Sequence, residues 1–145
     1  AAGTLERNTA YAYVLLCDHF RATNVIAELE GEPVGFVAAY RPPTHHDTVF
    51  VWQVGVLDAA RGLGVAGTLL DALVARPGCR GVRYLEATVT PSNEASRRLF
   101  ESFARRRGAD VAWSDGYPAT LFAPDHEPEH LVRIGPFGAT GESVS

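Results

Sequence analysis

The sequence contains no lysine and no methionine, and only two cysteines occur among its 145 residues. All thirteen basic residues are arginine, which excludes a Schiff-base lysine and a lysine nucleophile. Cys17 and Cys79 lie far apart without the spacing of a metal site, a pattern that favours reduced thiols over a disulfide. No apolar run approaches the ~18 residues of a membrane-spanning helix, and residues 1–10 lack the regions of a signal peptide. These absences predict a cytoplasmic protein without a membrane partner.

Basic charge is also scarce, because the net charge is −4 at pH 7. Nucleic-acid-binding proteins usually present a basic face, so we expect no nucleic acid partner. The one dense basic cluster, Arg105–Arg107, falls at the end of a predicted helix, where it complements the helix dipole. A hydrophobic fraction of 46% is ordinary for a globular chain of this length. We expect one domain over residues 1–137 and a flexible tail at 138–145.

Apolar periodicity and turn residues predict a chain of alternating helices and strands. The predicted elements are a helix at 11–20, strands at 24–30, 34–40 and 48–57, a helix at 64–75, a strand at 82–90, a helix that starts at Asn93 and ends at Gly108, and strands at 109–113 and 130–135. Residues 114–129 are predicted to form a loop. The first two strands should pair as an antiparallel hairpin, and the strand–helix–strand unit over 48–90 should be parallel. The fold class is therefore α/β (α+β), with a mixed sheet covered by helices.

Three glycines, Gly62, Gly64 and Gly67, stand where a strand leads into a helix. The first N–H groups of a helix have no partner within it, and together with the helix dipole they attract anions. Glycine lets the backbone approach a phosphate closely, and Arg61 can add charge-assisted hydrogen bonds. The pattern predicts a pyrophosphate site over residues 61–66, although it also fits a plain glycine-rich turn. It lacks the Gly-Lys-Ser/Thr ending of a P-loop.

Two segments, in the expected order, resemble those of a known family. "RGLGVA" (61–66) is similar to the Gln/Arg-x-x-Gly-x-Gly/Ala signature of the GNAT family of acetyl-CoA-dependent N-acetyltransferases. "TPSNEASRRLF" (90–100) resembles the second recurring segment of that family, Asn-x-x-Ala-x-x-Leu-Tyr/Phe. Longer stretches, such as "VFVWQVGVLDAARGLG" (49–64) and "HEPEHLVRIGPF" (126–137), resemble its diaminobutyrate acetyltransferase branch. This resemblance runs from about residue 5 to residue 137, and members of the branch carry a further strand and helix before it.

The resemblance implies a mixed, mostly antiparallel sheet with a splayed parallel strand pair and helices on both faces. It implies acetyl-CoA as the cosubstrate, no metal, and acetylation of the γ-amine of L-2,4-diaminobutyrate in the ectoine pathway. The expected partner is this small diamino acid, and a homodimer is left open. The alternatives are a GNAT that acetylates another small amine or a peptide N-terminus, and a non-catalytic acyl-CoA-binding module. Phe100 leaves the last one open, because many members have at this place a tyrosine that protonates the departing thiolate.

The resemblance also implies which residues hold the cofactor. The pantetheine arm would pair with the backbone of the central strand, and the diphosphate would bind the glycine loop. The cofactor-binding residues would be Val54, Val56, Leu57, Arg61, Gly62, Leu63, Gly64, Val65, Ala66, Asn93 and Ser96. For Asn93, a helix cap is an equally weighted interpretation.

The acceptor amine must lose a proton before it attacks, so the site needs a general base. We predict Glu129 for this role, with His126 nearby in sequence and Glu127 as the competing choice. The alternative without a catalytic role is a solvent-exposed acidic loop. A metal cluster that includes His130 is another, but the sequence does not form the His-Glu-x-x-His motif.

A substrate with two ammonium groups suits acidic side chains and aromatic faces. The predicted substrate-binding residues are Glu6, Tyr11, Trp52, Glu86 and Thr88. Glu86 would be costly inside a sheet unless it is paired, and an arginine such as Arg83 would explain it as well as an ammonium group would.

Overall fold

The computed structural model describes residues 21–122 and 124–138. Within these residues the chain forms one six-stranded sheet, with the strand order β1-β2-β3-β4-β6-β5, and two α-helices. The strands are β1 (Asn24–Leu29), β2 (Glu32–Tyr40), β3 (Thr48–Val56), β4 (Tyr84–Val89), β5 (Val111–Tyr117) and β6 (Glu129–Ile134), and the helices are α1 (Val65–Ala75) and α2 (Glu94–Arg107). The predicted order of elements is confirmed from the first strand onward. The predicted helix at 11–20 lies outside the described residues, and the single domain over 1–137 with its tail stays a prediction.

The pairing of the strands makes the sheet mixed. Strands β3 and β4 pair in parallel, and the other four neighbouring pairs are antiparallel. Helix α1 is the crossover between the two parallel strands, as such a connection requires. The β1–β2 hairpin turns at Glu30 and Gly31, whose φ angles are 53° and 82°. Positive φ at both central residues is the geometry that two-residue hairpin turns prefer.

Both described helices pack on the same face of the sheet, which we call the helix face. Alternate residues of β4, such as Leu85 and Ala87, are buried there with Val132 of β6. The leucines of α1 and the phenylalanines of α2 belong to the same hydrophobic cluster. The other face, which we call the second face, carries residues of the opposite parity, such as Glu86 and Arg133. Within the described residues, helices lie on one face of the sheet. The expectation of helices on both faces therefore stays a prediction.

The strand β5 is longer than predicted. The sequence indicated a strand at 109–113 and a loop from 114, whereas β5 continues to Tyr117. It is an edge strand and most of its residues are exposed, so it lacks the apolar alternation on which the prediction depended. The pairing with β6 shifts register between Ser114 and Tyr117. A Cβ on Gly116 would lie 2.3 Å from the carbonyl oxygen of Glu129, so glycine permits this close approach.

The described helices give no indication of a membrane span. Helix α1 has 11 residues and α2 has 14, and no helix within the described range is long and apolar enough to cross a bilayer.

Candidate active site

The parallel pair β3–β4 opens into a gap. The two strands pair from Thr48↔Tyr84 to Val51↔Ala87 and no further. Strand β3 nevertheless continues to residue 56 and β4 to residue 89. The splayed parallel pair that the family resemblance implied is therefore confirmed.

A bulge in β3 lies at the start of this gap. Ala39 of β2 pairs with Val51, whereas Ala38 pairs with Gln53. Trp52 is therefore an extra residue, and such an insertion breaks the ladder and bends the strand. The insertion also shifts the alternation by one residue. As a result, Val54 and Val56 pack against the helix-face core although they differ in parity from Val51.

Backbone groups of β3 point into the gap. The N–H of Leu57 donates to the carbonyl oxygen of Val34 at 2.8 Å, in the same register that pairs Val54 with Val37. Hydrogen-bonded and non-hydrogen-bonded pairs alternate along an antiparallel ladder. By that alternation, the N–H and C=O groups of Val54 and Val56 face away from β2. They are therefore available to a ligand between β3 and β4.

The start of α1 offers a group of exposed amides. Gly62 and Gly64 have φ angles of 82° and 76°, a region that glycine enters without the steric cost of a side chain. The first helical bond runs from the N–H of Thr68 to the carbonyl of Gly64 at 3.0 Å. Among the described residues, none accepts a hydrogen bond from the N–H groups of 62–67, and no side chain caps the helix. Exposed amides and a helix dipole together form an anion site.

The gap and the start of α1 lie along one cavity of about 1030 Å³. Most of the predicted cofactor residues line it, namely Val54, Val56, Arg61, Gly62, Gly64, Val65, Ala66, Asn93 and Ser96. Leu57 and Leu63 do not, and both side chains are exposed. The N–H of Leu63 is one of the exposed amides of 62–67, and Leu57 directly follows β3, but neither residue lines the cavity.

Helix α2 contributes lining residues that the sequence analysis missed. Ser102 and Arg106 lie on the cavity together with Arg98. The guanidinium of Arg106 lies 3.3 Å from the carboxylate of Asp71 and 3.4 Å from the carbonyl oxygen of Gly67 on α1. The basic cluster predicted to serve the helix dipole therefore also bridges the two helices. The spacing of four residues along α2, from 98 to 102 to 106, is the signal that could have identified this face.

Asn93 caps α2 and also borders the cavity. Its side-chain oxygen accepts a hydrogen bond from the N–H of Ser96 at 3.1 Å, which confirms the cap interpretation. The cap leaves the side-chain NH₂ of Asn93 as a donor at the cavity, so its role toward a cofactor remains a prediction.

Two of the residues predicted for the acceptor side lie on the second face. Thr88 and Glu129 share this face by the alternation of their strands, and Trp52 is the extra residue at the bulge of β3. A carboxylate oxygen of Glu129 lies 3.6 Å from Nε2 of His126, and the Glu129 side chain is 22% exposed. The His126 ring packs on Phe122, with 4.4 Å between the ring centroids. The structure thus brings a partly buried carboxylate and an imidazole together at the end of the sheet where β3 and β4 separate.

Glu127, the competing choice for the base, is engaged elsewhere. Its carboxylate accepts hydrogen bonds from the N–H of Ser92, at 3.1 Å, and from the Ser92 hydroxyl. Ser92 follows β4 and precedes α2. Glu129, whose described charged contact is with His126 alone, is therefore the better placed of the two.

Glu86 already has a counter-charge. Its carboxylate lies 2.5 Å from the guanidinium of Arg133, its direct partner across β4 and β6. That guanidinium also lies 3.8 Å from the ring centroid of Tyr84. The arginine explanation of Glu86 is confirmed, but Arg83 was the wrong partner. An ammonium contact at Glu86 stays a prediction, and Arg133 already supplies its carboxylate with a counter-charge.

Three further expectations concern Glu6 and Tyr11, the side chain of Phe100, and a metal cluster. Glu6 and Tyr11 lie outside the described residues. Phe100 is buried in the helix-face core, with 3% exposure, so its side chain takes no part in proton transfer. Within the described range, no group of three or more His, Cys, Asp and Glu side chains could hold a metal ion.

Comparison with known proteins identifies the family. The family model described as acetyltransferase (GNAT) family matches residues 3–104. The chain belongs to the GNAT family. Its signature segment around the glycine loop and the splayed strands are thereby explained, and the resemblance seen in the sequence is confirmed.

Two curated GNAT relatives and one solved structure extend this comparison. The L-2,4-diaminobutyric acid acetyltransferase of Marinococcus halophilus is 50% identical over 135 residues, which cover 92% of this chain and 78% of the relative. The enzyme of the same name from Streptomyces coelicolor is 47% identical over 141 residues, covering 94% and 82%. The diaminobutyrate acetyltransferase EctA from Paenibacillus lautus, solved with L-2,4-diaminobutyric acid and coenzyme A, superposes with a TM-score of 0.86 at 43% identity. That match covers 95% of this chain and 82% of EctA.

Proposed function

We propose that this GNAT enzyme transfers the acetyl group of acetyl-CoA to the γ-amine of L-2,4-diaminobutyrate, a step of ectoine synthesis. The observation that carries the proposal is the match to EctA, which extends over 95% of the chain at 43% identity. The described site agrees in its chemistry, since one side offers backbone donors to an anionic cofactor and the other offers a carboxylate and an indole. Cytoplasmic location follows as part of the proposal, and the homodimer stays a prediction.

The cavity offers hydrogen-bond donors and positive charge that suit coenzyme A. The exposed amides of 62–67 supply donors for the diphosphate, and Arg61 and Arg106 supply positive charge beside it. The backbone groups of Val54 and Val56 would pair with the pantetheine amides, as a further strand would. The acetyl thioester is then placed in the gap between β3 and β4.

The reaction begins with removal of a proton from the γ-ammonium group. An alkyl ammonium has a pKa of about 10, so it is charged at neutral pH and cannot attack. In this proposal Glu129 accepts that proton, directly or through one water, and His126 holds the carboxylate in place. The freed amine lone pair attacks the carbonyl carbon, and the carbonyl π electrons move to oxygen.

The developing oxyanion needs fixed donors. Backbone N–H groups of the gap-facing β3 residues serve this purpose, because they are oriented before the reaction begins. When the oxyanion collapses, the carbon–sulfur bond breaks and its electron pair leaves with the thiolate of coenzyme A, while the nitrogen loses its second proton to solvent and so becomes a neutral amide. Trp52 offers its indole face to an ammonium group, while Glu6, Tyr11 and Thr88 remain predicted substrate contacts.

The test is an acetyl-transfer assay with several amines. Thiol release from acetyl-CoA should be fastest with L-2,4-diaminobutyrate and much slower with ornithine, spermidine and a peptide N-terminus. Mass spectrometry of the product should find the acetyl group on the γ-nitrogen. A faster reaction with the peptide or the polyamine would favour the other transferase function, and no release with any amine would favour an acyl-CoA-binding module.

A further inference from the structure

The segment that leads into β6 has few polar contacts with the rest of the chain. We call residues 124–128 the entry segment. Within the described residues, His126 contacts Phe122 and Glu129, which belong to the same loop and strand. The hydrogen bonds between Glu127 and Ser92 are the polar contacts that join the entry segment to a distant part of the described chain. The position of the entry segment therefore depends on this pair.

Glu129 lies two residues beyond Glu127 along the chain. The ladder between β4 and β6 begins at Val89↔His130, so Glu129 lies one residue before it on the β4 side. The only described strand partner of Glu129 is Tyr117, next to the register shift of β5. The residue predicted to accept the proton thus stands at the start of β6, where this strand pairs with β5 but not with β4, directly after the entry segment.

Ser92 connects this contact to the cofactor side. It follows β4 at the splayed end and immediately precedes Asn93, which borders the cavity and caps α2. The hydrogen bonds between Glu127 and Ser92 therefore connect the segment before Glu129 with the residue next to the cavity-lining Asn93.

We infer that Glu127 is a positioning residue: its carboxylate fixes the entry segment to Ser92 and so sets the place of Glu129 and His126 relative to the cofactor. The inference rests on the proposed acetyl transfer and deepens it, because it gives Glu127 a role other than that of the base. Hydrogen bonds to a carboxylate are charge-assisted and therefore stronger than bonds between two neutral groups.

The chain offers a conservative variant that separates positioning from base catalysis. In Glu127→Gln the amide oxygen can accept the Ser92 N–H and the amide NH₂ can donate to the hydroxyl. We expect Glu127→Gln to keep kcat and the KM for diaminobutyrate within about threefold, and Glu127→Ala to raise that KM about tenfold, the scale of one lost charge-assisted hydrogen bond. The acidic limb of the pH profile of kcat/KM should be unchanged in Glu127→Gln. A kcat about 100-fold lower in both variants, as for a lost base, would overturn the inference.

Hydrogen exchange tests the contact without activity. Glu127→Ala should speed exchange of the Ser92 amide in the full chain, and Glu127→Gln should not. Asp125→Ala is the matched control, since Asp125 is an exposed carboxylate of the same segment without a polar partner among the described residues. Unchanged exchange in Glu127→Ala would overturn the inference. If the wild-type enzyme prefers another amine, the proposed substrate is wrong, and the same comparison of variants on that amine still decides the role of Glu127.

Discussion

The two halves of the proposed site are built from different groups of the chain, one mainly from backbone and the other from side chains. The cofactor half consists mainly of backbone: the amides of 62–67 at the start of α1 and the gap-facing groups of β3. The acceptor half consists of side chains from separate strands, such as Trp52 and Glu129. A backbone site needs glycines at fixed spacing and therefore leaves a local signature. A side-chain site depends on strand register, which no short segment contains.

The largest expected effect lies in the acceptor half. Glu129→Gln removes the proposed proton acceptor while keeping the shape, and we expect kcat at neutral pH to fall about 100-fold, the scale of a general-base contribution. The KM for acetyl-CoA should stay the same, because the cofactor half is intact. Steady-state kinetics with both substrates varied measure this. Glu28→Gln, at an exposed residue of β1, is the control, and wild-type kcat in Glu129→Gln would remove Glu129 from its role.

A smaller effect is expected in the cofactor half. Gly64 has a φ of 76°, and a left-handed conformation costs a side-chain-bearing residue roughly 1–2 kcal/mol. Gly64→Ala should shift the amides at the start of α1 and raise the KM for acetyl-CoA about tenfold, which corresponds to ~1.4 kcal/mol. Turnover at saturating cofactor should change little.

The matched control for that change is Gly81→Ala. Gly81 has a φ of 83° and, like Gly64, nothing within 4 Å of an added Cβ, but it does not line the cavity. The Gly81→Ala variant should lose a similar free energy of unfolding in denaturant and keep the wild-type KM for acetyl-CoA. Equal KM values in the two variants would contradict a phosphate site at the start of α1.

Arg61 should contribute less than the glycines. Its guanidinium lies 3.1 Å from the Asp58 carboxylate and both side chains are exposed, so solvent and the existing partner weaken its attraction for a phosphate. We expect Arg61→Ala to raise the KM for acetyl-CoA about threefold at low salt, and the difference should shrink as salt increases. Arg105→Ala, on the exposed end of α2, is the control. A KM that stays at the wild-type value at low salt would exclude Arg61 from the site.

Loss of a proton in the core, at Cys79, should change the stability of the protein but not the KM for either substrate. Burial raises the pKa of the Cys79 thiol to about 11, and the charges of Arg41 and Arg76 oppose that rise. Between pH 9 and 11 the unfolded chain loses this proton while the folded chain keeps it, so the free energy of unfolding falls as pH rises. Denaturant unfolding in a Cys17→Ser background should detect this alkaline loss. Absence of this loss would contradict the raised pKa of Cys79. Cys79→Ala in that background should reduce the slope, and the remaining slope is expected from Tyr40, whose pKa burial also raises.

The sequence predicted the fold and the cofactor half better than the acceptor half. Apolar periodicity placed α1 and α2 to within one residue at their starts, because both helices bury a continuous stripe. The end of β5 was missed because an exposed edge strand has no such pattern. The pairing of Glu86 with Arg133 was also missed, since it arises from register between strands 47 residues apart in sequence. The engagement of Glu127 by Ser92 was missed because it joins two loop residues that lie 35 positions apart in sequence.

The central claim is that exposed amides at the start of α1 bind the diphosphate of coenzyme A, while its pantetheine arm lies between β3 and β4. Amide chemical shifts of the ¹⁵N-labelled protein, titrated with coenzyme A, test it most directly. The account predicts the largest shift changes at residues 62–66 and at Val54 and Val56, with small changes along β1. Saturable binding that leaves those amides unshifted would contradict it.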